Sequence, residues 1–158
     1  MASTIPQLTS TPDLLLGFRF GVYFFSGGTD PNQLDIRFQK VSGLSASVKL
    51  TPLIEGGQNL YTQQLPAGVE YGRLILERGR VLKSPLNAEI SDVLSLYRFS
   101  PANVIVTLFD ETANPLSAWL FVKAFPVKWS TSNLDATQKN LLIDTIELAY
   151  SRMQLLKV

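Results

Sequence analysis

The chain has 158 residues, of which 46% are hydrophobic and 17% charged, and its formal net charge at pH 7 is +1. This length suffices for one domain with a buried core, and the low share of charged residues leaves more surface for burial against other chains. Lysine and arginine form no run that would indicate a nucleic-acid or anionic-membrane patch. The lack of histidine and cysteine excludes Ser-His-Asp triads, thiolate nucleophiles, disulfides and histidine-ligated metal sites.

The first 13 residues are rich in Ser, Thr and Pro, and we expect them to form a flexible lead before a single domain at residues 14–158. They lack the basic and apolar regions of a signal peptide. No stretch approaches the ~18 consecutive apolar residues that a transmembrane helix needs. We therefore expect a protein that is assembled in the cytoplasm and does not insert into a membrane.

Alternation of apolar with small or polar residues predicts most of the strands. The segments with this pattern are GFRFGVYFF (17–25), LDIRFQKVSGL (34–44), YGRLILERGRV (71–81) and LLIDTIELAY (141–150). Three further strands are predicted: SASVKLTPLI (45–54), where Pro52 indicates an edge or bulge, the nearly all-apolar NVIVTLFDE (103–111), and the long LSAWLFVKAFPVKW (116–129). Ser42-Gly43-Leu44 predicts a bulge or turn where only glycine fits.

One helix is predicted, at about residues 85–98. Ser84 is a suitable N-cap and Pro85 stands at the first helical position. An apolar stripe follows at helical spacing, formed by Leu86, Ile90, Val93, Leu94 and Tyr97. Strands before and after a single helix predict a mainly-β fold, an antiparallel sandwich or barrel of two sheets with one flanking helix.

Carboxylate pairs are the remaining candidates for catalysis. Asp110-Glu111 ends a strand before a turn, whereas Asp144 and Glu147 lie three apart on one strand and so on opposite faces. We interpret both pairs as solvated surface side chains, and we expect neither enzyme activity nor a cofactor or metal. The strand aromatics could instead line a cavity in a monomeric β-barrel that binds a small apolar ligand, although aromatic residues at period two are also what a sandwich core requires.

The ordered set of segments resembles the inner tube proteins of contractile phage tails and extracellular contractile injection systems. The similarity covers roughly residues 15–150 and rests on FRFGVYF (18–24), FQKVSGL (38–44), EGGQN…LP (55–66), YGRLILERG (71–79), VIVTLFDE (104–111), WLFVKAFPVKW (119–129) and LDATQKNLLIDTIELAY (134–150). The GGQN segment and the YGRLILERG strand resemble the tube-initiating type more than the trunk type, and the resemblance leaves both roles open.

This resemblance implies a ring-forming subunit, a homohexamer whose rings stack into a hollow tube. The implied partners are the sheath, the baseplate or spike, other tube proteins, and DNA or protein cargo in the lumen. Strands of neighbouring subunits are expected to pair edge to edge, and circular closure removes the sheet edges that are a liability in a monomer.

The polar segment EGGQNLYTQQLP (55–66) interrupts an otherwise strand-like chain. The resemblance implies that it belongs to an extended arm, at about residues 50–66, that reaches an adjacent subunit or ring. Glycines allow the turn, the amides can bond without carrying charge, and apolar side chains supply anchors; a mobile surface loop is the alternative. The candidate interface residues are Glu55, Gly56, Gly57, Gln58, Asn59, Leu60, Tyr61, Gln63, Gln64 and Leu65, with Trp119 and Trp129 as packing or interface residues.

Overall fold

The computed structural model describes residues 19–25, 37–57, 60–81 and 84–157. The predicted lead (1–13) lies outside these residues, as does the start of LDIRFQKVSGL. The described part contains strands β1 (Phe20–Phe25), β2 (Lys40–Ser42), β3 (Ala46–Leu53), β4 (Gln63–Tyr71), β5 (Leu74–Gly79), helix α1 (Pro85–Leu96), and strands β6 (Ala102–Phe109), β7 (Pro115–Thr131), β8 (Ile143–Ala149) and β9 (Arg152–Leu156).

Strand β7 joins two antiparallel layers. Its first half pairs with β6 and β9, and β1 pairs with β6, which gives the first layer. Its second half pairs with β8, which continues through β5 to β2 as the second layer. The change of layer falls near Lys123, which has a φ of 54° and whose backbone N–H donates to Asn103 Oδ1 over 3.1 Å. The predicted fold class, two antiparallel sheets with one helix, is confirmed.

The core lies between the two layers. Leu74 and Leu76 of β5 point inward with Ile146 and Leu148 of β8, as their alternation predicts. The other members of the buried cluster are Val22, Phe24, Leu86, Ile90, Val104, Val106, Phe121 and Ala124. Burial of each larger apolar side chain stabilises the fold by about 1.5–3 kcal/mol, so this cluster holds the layers together.

Helix α1 begins as predicted and ends early. Ser84 is the N-cap, since its hydroxyl accepts a hydrogen bond from the Asn87 backbone N–H, and Pro85 occupies the first helical position. The predicted end at 98 is wrong by two residues, because Tyr97 adopts the left-handed conformation with a φ of 52° and caps the helix after Leu96. The last part of the predicted stripe is also wrong: Leu94 and Tyr97 are exposed, and only the earlier members face the core.

Candidate subunit interface

Strands β3 and β4 form a separate two-stranded hairpin, the projecting hairpin (residues 46–71). Every described residue from 44 to 70 is exposed to solvent. An isolated two-stranded hairpin is marginally stable in water. A hairpin with both faces and both edges exposed is therefore a surface that contact with another chain would stabilise.

The two faces of the projecting hairpin differ in chemistry. Directly paired residues share a face, and one face carries the pairs Val48–Val69 and Leu50–Pro66. The opposite face carries more polar pairs: Ser47–Glu70, Lys49–Gly68 and Thr51–Leu65. The hairpin thus has one apolar face and one mixed face, and the apolar face is the stronger candidate for burial.

The predicted arm at about residues 50–66 is the outer part of this hairpin. Glu55, Gly56 and Gly57 lie at its tip, and Gln58 and Asn59 fall outside the described residues. Leu60 and Tyr61 are also at the tip, where the Leu60 side chain is 92% exposed. Gln63, Gln64 and Leu65 begin β4, and all three are exposed. The structure therefore brings the described members of the set together at one end of the molecule.

The two tryptophans lie outside the hairpin and have different environments. Trp119 is half-buried in the first half of β7 and packs against the core cluster. Trp129, near the end of β7, is 37% exposed, and the Arg80 guanidinium lies 5.8 Å from its ring centroid. Trp129 also lines a surface cleft of about 270 Å³ with Ile90 and Leu94 of the helix. Trp119 is thus a packing residue, whereas Trp129 remains a candidate contact residue.

Open strand edges are the second feature of the site. In the second layer, among the residues that the structure describes, β2 pairs only with β5, and residues 125–131 of β7 pair only with β8. In the first layer, β1 and β9 each have one partner among the described strands. An open edge presents unpaired backbone donors and acceptors, a template for a strand of another chain.

A buried polar cluster is the feature that the sequence reading missed. Arg78 is 2% exposed; its guanidinium donates to Ser84 Oγ over 2.7 Å and to Asn87 Oδ1 over 3.0 Å, and lies 5.3 Å from the Phe38 ring centroid. Asn87 in turn donates to the Val81 carbonyl over 2.7 Å. Strand β5 is thereby tied to the beginning of α1.

Asp144 corrects one sequence-based interpretation. It is 1% exposed, so its assignment as a solvated surface residue is wrong. The Thr131 hydroxyl donates to its carboxylate over 2.7 Å, and an Arg80 nitrogen lies 3.9 Å away. These partners compensate a buried charge. Asp144 alternates in step with the buried Ile146 and Leu148 along β8. This alternation was the signal that could have predicted the burial of Asp144.

Glu147 lies on the opposite face of β8, as predicted. Its carboxylate accepts from Lys128 Nζ over 2.9 Å and from an Arg73 nitrogen over 3.3 Å. The hydrogen bond from Lys128, followed by that from Arg73, lowers the pKa of Glu147 below its ordinary value. A carboxylate held ionised between two cations is a poor general acid.

Asp110 lies in a turn whose hydrogen bonds are local. The backbone N–H of Asn114 and the hydroxyl of Thr112 donate to its carboxylate and lower its pKa. Within the described part of the chain, no three potential ligands cluster as a metal site would require. The predicted surface role of Asp110-Glu111 thus agrees with a self-contained turn.

The described part of the chain is a two-layer sandwich with open strand edges and a projecting hairpin. This architecture defines a class of protein, the β subunit that assembles with other chains. The model of the family described as T4-like virus tail tube protein gp19 matches residues 16–154. Since the match spans nearly the whole sequence, the chain belongs to this tail tube family. The family identifies it as a structural tube protein, as the resemblance implied.

Solved structures of contractile systems show the same fold. A chain of the cryo-EM structure of the anti-feeding prophage (AFP) baseplate, 6-fold symmetrised, is 38% identical, with coverage of 93% of this chain and 97% of that chain and a TM-score of 0.83. A chain of the PVC sheath-tube complex of an extracellular contractile injection system, in the extended state, is 22% identical, with coverage of 99% and 100% and a TM-score of 0.78. A chain of the AFP tube-terminating cap is 19% identical, with coverage of 94% and 95% and a TM-score of 0.79.

No curated protein sequence gives a significant match to the chain. Among the residues that the structure describes, no helix has the length and apolar character needed to cross a membrane.

Proposed function

We propose that the chain is a subunit of the inner tube of a contractile tail or injection system, and that hexameric rings of it stack into a conduit for DNA or protein cargo. Its role is structural and not enzymatic. Its partners are its own copies, the sheath, the baseplate or spike, and other tube proteins. The observation that carries this proposal is the match of residues 16–154 to the tail tube family.

The order of strands in the second layer supports ring closure. This layer has an open strand on each side, β2 at one end and residues 125–131 of β7 at the other. Pairing of one subunit's β2 edge with the next subunit's β7 edge would continue the sheet around a closed barrel. The 6-fold symmetry of the AFP baseplate structure supports a ring of six.

The outer face of the second layer suits a water-filled lumen. It carries the Lys40–Glu77 ion pair at 3.0 Å and the contacts of Glu147 with Lys128 and Arg73. Such exposed pairs contribute little stability, so their value lies in keeping the wall polar without a large net charge. The outer face of the first layer instead carries apolar side chains, including Tyr23, Ile105 and Leu120.

A position at the start of the tube is the more specific part of the proposal. Identity is 38% to the AFP baseplate chain, against 22% to the PVC sheath-tube chain and 19% to the AFP cap chain. This order supports a tube-initiating ring above the baseplate over a trunk subunit. The ring would be assembled in the cytoplasm before it becomes part of a phage tail or an injection particle.

The projecting hairpin supplies the second contact, between its exposed side chains and a neighbouring subunit or ring. Replacement of residues 56–64 by a short Gly-Ser turn tests this role. We expect the variant to fold, because the tip residues that the structure describes are exposed and none belongs to the core cluster, and to lose ordered rings and stacks in negative-stain micrographs. Normal assembly of this variant would show that the arm is not an interface.

A pair of point variants tests which face is buried. Val48→Asp places a charge on the apolar face, and Ser47→Asp places the same charge on the mixed face of the same strand. Because burial of an unpaired charge is unfavourable, Val48→Asp should weaken self-association by at least about tenfold, a change of about 1.4 kcal/mol. Sedimentation velocity measures this change. Equal effects of both variants would contradict burial of the apolar face.

A further inference from the structure

Two short connections join the projecting hairpin to the second layer. Strand β2 leads into β3 through residues 43–45, and β4 leads into β5 through residues 72 and 73. These two short connections lie side by side and form what we call the elbow. The hairpin therefore leaves the domain at a point where two segments of backbone approach each other closely.

Gly43 makes the closest approach in the elbow. Its φ is +82°, a conformation that side-chain-bearing residues rarely adopt. A Cβ at this position would lie 1.8 Å from the Arg73 carbonyl oxygen and 2.9 Å from its carbonyl carbon. Both are backbone atoms, which cannot rotate aside. The prediction that only glycine fits at Ser42-Gly43-Leu44 is confirmed.

Hydrogen bonds and aromatic rings hold the elbow in place. The Ser45 N–H donates to the Gly43 carbonyl over 2.8 Å, and the Gly72 N–H donates to the Ser45 carbonyl over 3.1 Å. Next to Gly72, the Tyr71 ring lies 5.8 Å from the Tyr150 ring, which makes an edge contact with buried Phe121 at 4.8 Å. The base of the hairpin is thus tied to the core.

We propose that the elbow aims the projecting hairpin at a second copy of the chain, so that the direction of the arm is fixed within each subunit before assembly. Gly43 is the positioning residue, since it permits the close approach of the two backbone segments. This inference rests on the proposed role of the hairpin as an interface arm. It adds that assembly depends on arm direction as well as on the arm's apolar face.

A matched control is available at the tip. Gly57 has a φ of +92°, similar to that of Gly43, but nothing lies within 4 Å of a Cβ built there. Gly43→Ala and Gly57→Ala therefore impose the same kind of backbone strain, and only Gly43→Ala forces the two segments apart. Any difference in arm direction or assembly between the two variants is therefore an effect of the elbow.

Spin-label distances measure arm direction directly. The chain has no cysteine, so Gln64→Cys on the hairpin and Gln154→Cys on β9, both exposed, can be labelled selectively. In dilute, unassembled protein we expect one narrow distance distribution in the parent and in Gly57→Ala, and a shifted or broadened one in Gly43→Ala. A broad distribution in the parent would overturn the proposal, and this measurement does not depend on whether Gly43→Ala folds.

Assembly is the second readout. Without the labels, Gly43→Ala should raise the concentration needed for ring or stack formation by about tenfold or more relative to Gly57→Ala. Equal assembly of the two variants would overturn the elbow's role. If the wild type itself does not assemble, the proposed function fails, whereas the distance measurement still decides whether the arm has a fixed direction.

Discussion

At the scale of single residues, the most informative side chains are the two buried charged ones. Arg78 follows Leu74 and Leu76 at period two on β5, and Asp144 precedes Ile146 at the same period on β8. Alternation alone could therefore place both inside. What it could not show is their compensation, because Thr131 and Ser84, which bond to them, are brought close only by the fold. Charged side chains are rarely buried without such partners.

The half-buried carboxylate of Glu147 gives a prediction about pH. Its folded-state pKa is lowered from the ordinary 4.5, so its ionised form is favoured in the folded protein. The stability it contributes is fully present above the unfolded-state pKa and is lost as pH falls through the lowered pKa. Glu147→Gln should therefore lose less stability than the wild type on acidification below about pH 4.5. Urea unfolding followed across this range measures the difference.

The control for this measurement is Glu55→Gln at the hairpin tip, because Glu55 makes no ion pair in the described structure. It removes a carboxylate without removing an ion pair of the described residues, and so measures the effect of the substitution itself. If the unfolding free energies of Glu147→Gln and Glu55→Gln depend on pH alike, Lys128 and Arg73 do not stabilise the ionised carboxylate of Glu147 in solution.

At the scale of elements, the strands with period-two alternation were predictable, and the exceptions have local causes. The end of α1 was misplaced because a left-handed tyrosine has no sequence signature. The layer change at Lys123 was hidden for the same reason. Strand β7 continues through Pro126. Its missing N–H is tolerated because, in the described part of the chain, this half of β7 pairs only with β8, and a bulge follows.

The attachment of α1 to β5 gives the second prediction. Ser84 both caps the helix and accepts from the Arg78 guanidinium. Ser84→Ala should lower the free energy of unfolding by about 2 kcal/mol, the sum of a lost cap and part of a charge-assisted bond. Arg78→Met should lower it by about 2–4 kcal/mol, since several such bonds are lost. In the double variant, the loss in free energy of unfolding should be about 1 kcal/mol smaller than the sum of the losses in the two single variants.

Ser91→Ala is the matched control, because it makes the same change at an exposed position of the same helix. It should alter the free energy of unfolding by no more than about 0.5 kcal/mol. Strict additivity of the Ser84 and Arg78 variants in urea unfolding would mean that the guanidinium does not hold the beginning of the helix.

At the scale of the whole molecule, the sequence predicted the fold class, and the resemblance implied an arm at about residues 50–66, which falls on the outer part of the hairpin. The hairpin spans residues 46–71, whereas the polar composition singled out only its outer part. Its base escaped notice because Ala46, Val48 and Leu50 have the composition of an ordinary strand. Whether a strand packs on its own core or on another chain is decided by tertiary structure, which composition does not encode.

The exposed hairpin and the open strand edges have one common explanation. The isolated subunit leaves apolar surface and backbone hydrogen-bonding groups exposed, and identical copies cover them on assembly. Electron microscopy of the purified protein across a range of concentrations, paired with sedimentation velocity, tests this most directly. The account predicts annuli with a central hole and a sedimentation coefficient that rises with concentration. A monomer at every concentration, without annuli, would contradict it.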